Sequence, residues 1–390
     1  MMASLVNTYL RKSLQKVTSR CRELTVVLGN EAGDMDSVVG SICLAMFLDS
    51  QPEYGMTPVI PAINFPLDEL PLRTDVYHLF HQIGLDISSL ISVIPSTTTI
   101  DHAGNYLDLV DLLPNIVLYD HNQLSVSQSF LNNNVVGIVD HHFDNKLYVE
   151  QTNRLRVIET VGSACTLVAE LYKEAGITVP YPILFLSTII LDTVNFDSQQ
   201  QKTTLKDVKM FEWLSSMMPE KIDSHKVFEK LSEWRRDIFG LSLEQNFKRD
   251  YKFFSFEMGD KNSHLDTGIS SIPCSYDKFK DKYTLEEIAS SCYLFLIRNK
   301  LDALVVSFAG KKDETHTRDI LFVVKVSEFQ MFIDYANSFQ KRLIFYPSDK
   351  IEIGKSHILI AFSLSDTSVS RKSLVPSLAN FLKGKTQSTL

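Results

Sequence analysis

Five short segments gather acids and imidazoles: Asn30-Glu31-Ala32-Gly33-Asp34-Met35-Asp36-Ser37, Tyr119-Asp120-His121, Asp140-His141-His142, Leu191-Asp192-Thr193 and Asp250-Tyr251-Lys252. All five read as strand ends, and the first four each follow an apolar run. Together those four offer enough oxygen and nitrogen ligands for two divalent metals. Carboxylates cluster in this way where a cation neutralises them. Asp34 and Asp36 are two apart on a loop entering a helix, a spacing that lets neighbouring carboxylates turn to different metals. The helix N-terminus favours an anion beside them. Alone, that pattern reads equally well as a helix cap, Asp120 as an acid in a turn, and Asp192 as a local cap. Asp140-His141-His142 is rarer. Two adjacent imidazoles at a strand end cannot both enter the core; one suits a metal and the other an oxyanion.

These residues need a frame to converge. Leu24–Leu28 and Pro58–Ile63 read as strands around an apolar helix over Ser37–Leu48. Thr74–Ile83 reads as a helix that Gly84 ends. Ile116–Tyr119 and Val135–Val139 are further β-branched runs. Ser163 could cap a helix through Ala175, closed by Gly176, and Ile183–Leu191 is a buried helix or strand. This β-α-β alternation predicts an α/β domain with a doubly wound, mostly parallel sheet, which binds ligands beyond the carboxyl ends of its strands. The polar helical stretch Thr203–Glu233 reads as a bridge to a second, α+β domain. There Leu285–Asn299 and Ser327–Phe339 are amphipathic helices, Ala303–Phe308, Asp319–Val326 and His357–Leu364 are strands, and Pro376–Leu382 is a last short helix. The expected domains are 1–228 and 229–390.

Composition narrows the class. At 390 residues, 44% hydrophobic and 22% charged, the chain is globular and long enough for two cores. A formal net charge of −8 argues against nucleic acid and anionic membrane as partners. A polyanionic substrate would therefore need metals and a local basic patch. Cys21, Cys43, Cys165, Cys274 and Cys292 form no C-x-x-C pair and suit a reducing compartment. Arg11, Lys12, Lys16, Arg20 and Arg22 precede the first acid, Glu23, a pattern shared by mitochondrial transit segments. Val6, Leu10, Leu14 and Val17 share a face, so an amphipathic helix packed on the first domain is the preferred reading. A cytoplasmic monomer is expected, with the mitochondrial matrix as the alternative.

In this order, the motifs resemble the DHH phosphoesterase superfamily, named for the triplet at Asp140–His142. The second half resembles its DHHA2 domain, through Gly240-Leu241-Ser242, Asp250-Tyr251-Lys252-Phe253 and the basic Ser370-Arg371-Lys372. There is no Gly-Gly dipeptide, so the glycine-rich motif of the DHHA1 nucleases is missing. Family II pyrophosphatases carry a histidine where this chain has Asn30. Gly29-Asn30-Glu31 and Leu70-Pro71-Leu72-Arg73-Thr74-Asp75-Val76 look instead like the exopolyphosphatase and prune branch. Animal prune proteins tend to carry Asp-His-Arg in the third motif, whereas this chain keeps Asp-His-His, like fungal and protozoan exopolyphosphatases.

The resemblance implies two-metal hydrolysis of a phosphoanhydride in a cleft between the domains. Asp34, Asp36, Asp120, His141 and Asp192 would hold two Mn²⁺ or Mg²⁺ ions, with Co²⁺ possible and Asp120 the bridge. Asn30 would sit beside one metal and the substrate. His142 would donate to the terminal phosphate, and Asp140 would orient its neighbours. Lys252, Arg371 and Lys372 would bind the substrate, with Lys248 and Arg249 extending the basic track. The implied substrate is inorganic polyphosphate, shortened from its end. A prune-like hydrolase of short polyphosphates or nucleotides, a pyrophosphatase, and a non-catalytic scaffold are the alternatives. The chain stops at Leu390, soon after the basic motif, and so is expected to lack an extended tail for partners.

Overall fold

The computed structural model describes residues 2–384, except 57, 98, 103–104, 113, 260–262, 314 and 339–344. The chain divides into two compact units, Met1–Arg235 and Arg236–Leu390.

The first unit opens with α1 (Met2–Thr18), β1 (Thr25–Leu28), α2 (Met35–Asp49), β2 (Val59–Ala62) and α3 (Thr74–Ile83). A small antiparallel sheet follows, made of β3 (Ser92–Ile94), β4 (Thr99–His102) and β5 (Asn105–Asp108). After it come β6 (Asn115–Tyr119), β7 (Val135–Asp140), β8 (Arg156–Ile158), α4 (Ala164–Glu174), α5 (Pro182–Asp192), α6 (Leu205–Ser215) and α7 (Ser224–Arg235). The main sheet has the order β2-β1-β6-β7-β8, with every pairing parallel. Every residue of β1 and β2 is buried, which is why these strands read as continuous apolar runs.

Alternate residues serve opposite faces. Val27, Val59, Val117 and Val139 meet the helical layer that includes α2, α4 and α5. Val26, Ile60, Leu118 and Ile138 face Val17 of α1, Val93 and Ile100 of the small sheet, and Leu109 and Leu131 of 3₁₀ turns. Along α1, Val6, Leu10 and Val17 are buried and Leu14 is half-buried, so the predicted amphipathic face is the packed one. Arg11 pairs with Asp86 at 2.8 Å, and Asn7 bridges Gly84 and Asp86 beside the end of α3. Gly84 ends α3 at φ +68°, a left-handed conformation that suits glycine.

From β1 the chain moves outward to β2 and then returns to the other side of β1 as β6. The β1–β6 boundary is therefore the topological switch point, where an open parallel sheet leaves a crevice at its carboxyl edge. Gly40 on α2 lets the two layers close there, because an added Cβ would overlap the Tyr119 ring and hydroxyl.

Two sequence expectations change in the first unit. Ile183–Leu191 is helical, so Asp192 ends a helix and not a strand. The α5 sequence is apolar on all sides because the helix is buried on nearly all sides, and periodicity then cannot separate helix from strand. α6 and α7, read as a bridge, pack against α3, α4 and α5 of the first unit. α7 spans Ser224–Arg235, and the first compact unit ends at Arg235.

The second unit contains α8 (Leu243–Arg249), β9 (Tyr251–Glu257), β10 (His264–Ile272), α9 (Tyr276–Lys280), α10 (Leu285–Arg298), β11 (Ala303–Lys312) and β12 (Thr315–Lys325). α11 (Phe329–Ser338), β13 (Phe345–Ile353), β14 (His357–Leu364) and α12 (Arg371–Lys383) complete it. Its sheet has the order β13-β14-β12-β11-β10-β9 and is antiparallel except between β10 and β11. α11 and α12 pack on one face; α9 and α10 pack on the other.

Asp250-Tyr251-Lys252 leads into strand β9 and does not end one. α12 begins at Arg371, earlier than Pro376 suggested, so the Arg-Lys pair lies in the first turn of a helix. Pro376 is the sixth residue of this helix and lacks the amide that would bond the Lys372 carbonyl. The expected helix Ser327–Phe339 is a 3₁₀ turn followed by α11, and residue 339 lies outside the described residues. No helix among the described residues is long and apolar enough to cross a membrane.

Candidate metal centre

The cavity at the carboxyl edge of the parallel sheet has a volume of about 550 Å³ and is lined by Asn30, Asp34, Asp36, Asp120, His141, His142 and Asp192. Every metal ligand expected from the sequence therefore faces one space. Its remaining wall is formed by Ala32 and residues 160–162 together with Gln201, Lys202 and Thr204.

Asp34 is the N-cap of α2, with Oδ1 accepting the Ser37 amide at 3.1 Å. Cap and cluster member are thus one residue. Asp36, two residues on, is buried. Its Oδ1 accepts from the Tyr119 hydroxyl at 2.8 Å and the Cys165 amide at 2.9 Å, and its Oδ2 from the Ala164 amide at 2.6 Å. The first amides of α4 thus point at this carboxylate, as helix N-termini do toward anions. One lone pair of Oδ2 remains available, 3.9 Å from His141 Nε2.

Asp120 follows β6 at φ +61°, a left-handed conformation that aspartate tolerates better than most residues. Its Oδ2 accepts from Asn30 Nδ2 at 2.7 Å, while Asn30 Oδ1 accepts the Gly33 amide at 3.0 Å. Both ends of the Asn30 carboxamide are therefore engaged, and in this geometry Asn30 orients Asp120. Asp120 Oδ1 is buried without a hydrogen-bond partner, 3.3 Å from His141 Nε2 and 3.7 Å from His142 Nδ1.

His141 Nδ1 lies 3.0 Å from the Val161 carbonyl, which can only accept, so Nδ1 carries a proton. Nε2 is left aimed at Asp120 and Asp36 and needs either a proton or a cation there. Asp140 is fully buried and serves its neighbours. Its Oδ1 accepts from His142 Nδ1 at 2.8 Å and from the amides of His141 and His142, and its Oδ2 from Asn122 Nδ2 at 2.5 Å. The His142 ring, more than half exposed, keeps its second nitrogen for other partners.

Asp192 ends α5 with Oδ2 buried and unpartnered. The next three non-glycine residues that follow Thr193 (Val194, Asn195 and Phe196) have φ +53°, +52° and +61°. A left-handed β-branched residue is a genuine outlier, and strain of this kind concentrates at functional sites. Here it turns the chain sharply after Asp192.

The electrostatics follow from this crowding. Burial, then Asp36, pushes Asp120 up to about 7. Burial followed by Asp36 and Asp34 raises Asp192 well above the carboxylate range, and enclosure followed by Asp36 raises Asp34. Burial opposes charge on His141, but Asp120 and Asp36 outweigh it and push the imidazole up to about 10. Burial would raise Asp140, yet His142 and Asn122 hold it below its ordinary value. Without a cation the cluster thus retains protons. Orphaned carboxylate oxygens on Asp120 and Asp192, a half-open Asp36 oxygen and one imidazole lone pair fit a hard or borderline divalent ion.

In the second unit the two basic motifs meet. Arg371 donates from Nη2 to Asp250 Oδ1 at 2.6 Å and from Nη1 to the Asp250 carbonyl at 2.9 Å. Asp250 therefore aims the guanidinium. Lys252 and Lys372 are exposed. Arg249 Nη1 donates to the Asp237 carbonyl at 3.0 Å, which ties it to the loop before α8. Sequence reading missed Tyr119, Asn122 and Val161 as supports, because their roles depend on contacts far apart in the chain.

Acids and one imidazole thus line one cavity beyond the switch point of a parallel sheet in an α/β domain, an arrangement that suits a divalent cation. The chain matches the DHH family, N-terminal domain, over residues 24–191 and the DHHA2 domain over residues 229–381. It belongs to the DHH phosphoesterase family, which is hydrolytic. Exopolyphosphatase PRUNE1 of Rattus norvegicus is 30% identical over 294 residues, covering 73% of this chain and 59% of the rat protein. The matched segment thus spans about three fifths of that relative's length. Exopolyphosphatase PRUNE1 of Mus musculus is 29% identical over 378 residues, covering 93% of this chain and 76% of the mouse protein. A Bacillus cereus protein named "Probable manganese-dependent inorganic pyrophosphatase" is 30% identical over 272 residues, covering 69% of this chain and 77% of its own length.

Proposed function

We propose that this chain is an exopolyphosphatase that hydrolyses the terminal phosphoanhydride of inorganic polyphosphate with two divalent ions, Mn²⁺ or Mg²⁺. The observation that carries the reading is the convergence of Asp34, Asp36, Asp120, His141 and Asp192 on one cavity, with buried oxygens of Asp120 and Asp192 unpartnered. These five residues would hold the ions, with Asp120 shared between them. Bound there, divalent ions would lower the pKa of water and offset charge on phosphoryl oxygens.

The remaining roles belong to the chain itself. His142, held by Asp140 through Nδ1, would donate a hydrogen bond to the terminal phosphate from its other ring nitrogen. Asn30 keeps Asp120 in place and borders the substrate. Arg371, aimed by Asp250, presents a planar fork to phosphate oxygens, and Lys252 and Lys372 add point charges. A carboxamide at position 30 with both ends engaged offers no imidazole-type ligand, which favours polyphosphate over pyrophosphate.

The test is phosphate release from long polyphosphate, tripolyphosphate, pyrophosphate and a cyclic nucleotide, after EDTA treatment and addition of Mn²⁺, Mg²⁺ or Co²⁺. Long polyphosphate is expected to be the best substrate. Preference for tripolyphosphate or a nucleotide would move the assignment to a prune-like hydrolase, and preference for pyrophosphate to a pyrophosphatase. No turnover with any metal would leave a non-catalytic scaffold. Within this assay Lys372→Ala is expected to lower kcat/KM on polyphosphate by about tenfold, the worth of one charge-assisted hydrogen bond. An unchanged kcat/KM would remove Lys372 from the substrate contacts.

A further inference from the structure

The part of the cavity wall formed by residues 160–162 and 201–204 is held by one buried carboxylate outside the cavity. Asp207 lies in the first turn of α6, fully buried. Its Oδ2 accepts from the Thr204 amide at 2.7 Å, the Thr204 hydroxyl at 2.7 Å and the Gly162 amide at 2.9 Å. Its Oδ1 accepts from the Thr166 hydroxyl of α4 at 2.6 Å. One side chain thus joins the 160–163 segment, α4 and the 201–204 segment. Packing closes the same joint: a Cβ on Gly162 would strike the Lys202 carbonyl, the Thr193 methyl and Asp207 itself.

The joined backbone groups are those that aim the cation-binding side chains. Next to Gly162, the Val161 carbonyl receives the His141 Nδ1 proton. Just before Thr166, the Ala164 and Cys165 amides hold both oxygens of Asp36. We propose that Asp207 is a positioning residue that fixes the His141 ring and the Asp36 carboxylate through Gly162 and Thr166. An ordinary capping box needs only the Thr204–Asp207 exchange. The bonds to Gly162 and Thr166 go beyond it and lead toward the cavity.

This inference rests on reading the cavity as a metal centre, and the test separates the two. EDTA-treated wild-type protein is first titrated calorimetrically with Mn²⁺, and absence of binding removes both the centre and the inference. With binding established, Asp207→Ala is expected to weaken Mn²⁺ affinity about ten- to a hundredfold, as loss of a support for a ligand does. Asp207→Asn is expected to stay within about threefold of wild type, because its amide oxygen can still accept from Gly162 and its NH₂ can donate to Thr166. Thr284→Ala, which breaks the capping box of α10, is the stability control, expected to lower Tm and leave Mn²⁺ affinity unchanged. Wild-type affinity in folded Asp207→Ala overturns the inference and leaves the metal centre standing. If Asp207→Ala shows no cooperative unfolding, Thr166→Val replaces it. That variant should weaken Mn²⁺ affinity by about tenfold, as loss of a hydrogen bond to a carboxylate does, and an unchanged affinity overturns the inference equally.

Discussion

Asp120→Asn is expected to lower phosphate release from polyphosphate by more than about a hundredfold, beyond the usual cost of losing a mere support. The same variant should raise the Tm of EDTA-treated protein at about pH 8. Asparagine keeps the left-handed backbone at position 120 and can still accept from Asn30, so the change isolates the charge. Wild-type Asp120 has its pKa raised to about 7, chiefly by burial and then by Asp36. Above that value the metal-free fold holds a buried carboxylate whose Oδ1 has no hydrogen-bond partner. Removing the charge should relieve a cost on the order of a few kcal/mol while removing the proposed cation ligand. His141→Ala should lose activity to a similar degree. A differential scan with and without EDTA, beside a phosphate-release assay, reads both quantities. Near-normal turnover in Asp120→Asn would remove Asp120 from the metal centre.

Metal removal should make stability depend on pH in a particular direction. The ordinary values of Asp120 and His141 are 3.8 and 6.5, and the fold raises them to about 7 and about 10; Asp34 and Asp192 are raised as well. Each raised group binds a proton more tightly in the folded than in the unfolded chain. Its stabilisation is full below the unfolded value and is lost as pH rises through the folded one. The Tm of EDTA-treated protein should therefore fall progressively from about pH 5 to about pH 9. Mn²⁺ should reverse that loss, by about 2.7 kcal/mol at a hundred times its Kd. Because the ligands must shed protons, Mn²⁺ affinity should rise over the same range, with proton release visible in buffers of different ionisation enthalpy. A Tm independent of both pH and Mn²⁺ would contradict a cation site in this cavity.

How much could be read from the chain depended on how local each signal was. Asp120 and Asp140-His141-His142 follow β-branched runs that are buried on both faces, so strand and site announced each other. Asp34 and Asp36 follow β1 and open α2, a spacing set within eight residues. Asp192 was recognised as a candidate, although its element was ambiguous, because α5 is apolar all round and shows no periodic face. Asp250 and Arg371 were singled out separately. Their bond at 2.6 Å joins positions 121 apart, which no local pattern can indicate. Asp207 fell unmarked within the polar helical stretch Thr203–Glu233, and its bonds to Gly162 and Thr166 cross about forty residues of chain.

The sequence by itself determined the candidate ligand types, their order and the alternation that builds a parallel sheet, because strand and helix periods and cap chemistry act within a few residues. Tertiary structure alone decided which lone pairs remain free. Tyr119, Ala164 and Cys165 occupy most of Asp36, Val161 fixes the His141 tautomer, and Asn30 takes one oxygen of Asp120 and leaves the other bare. Whether a carboxylate is a satisfied buried acid or a waiting cation ligand depends on donors brought from 83 to 129 residues away. Hydrogen-bond satisfaction is a property of the packed chain, and no run of residues carries it alone.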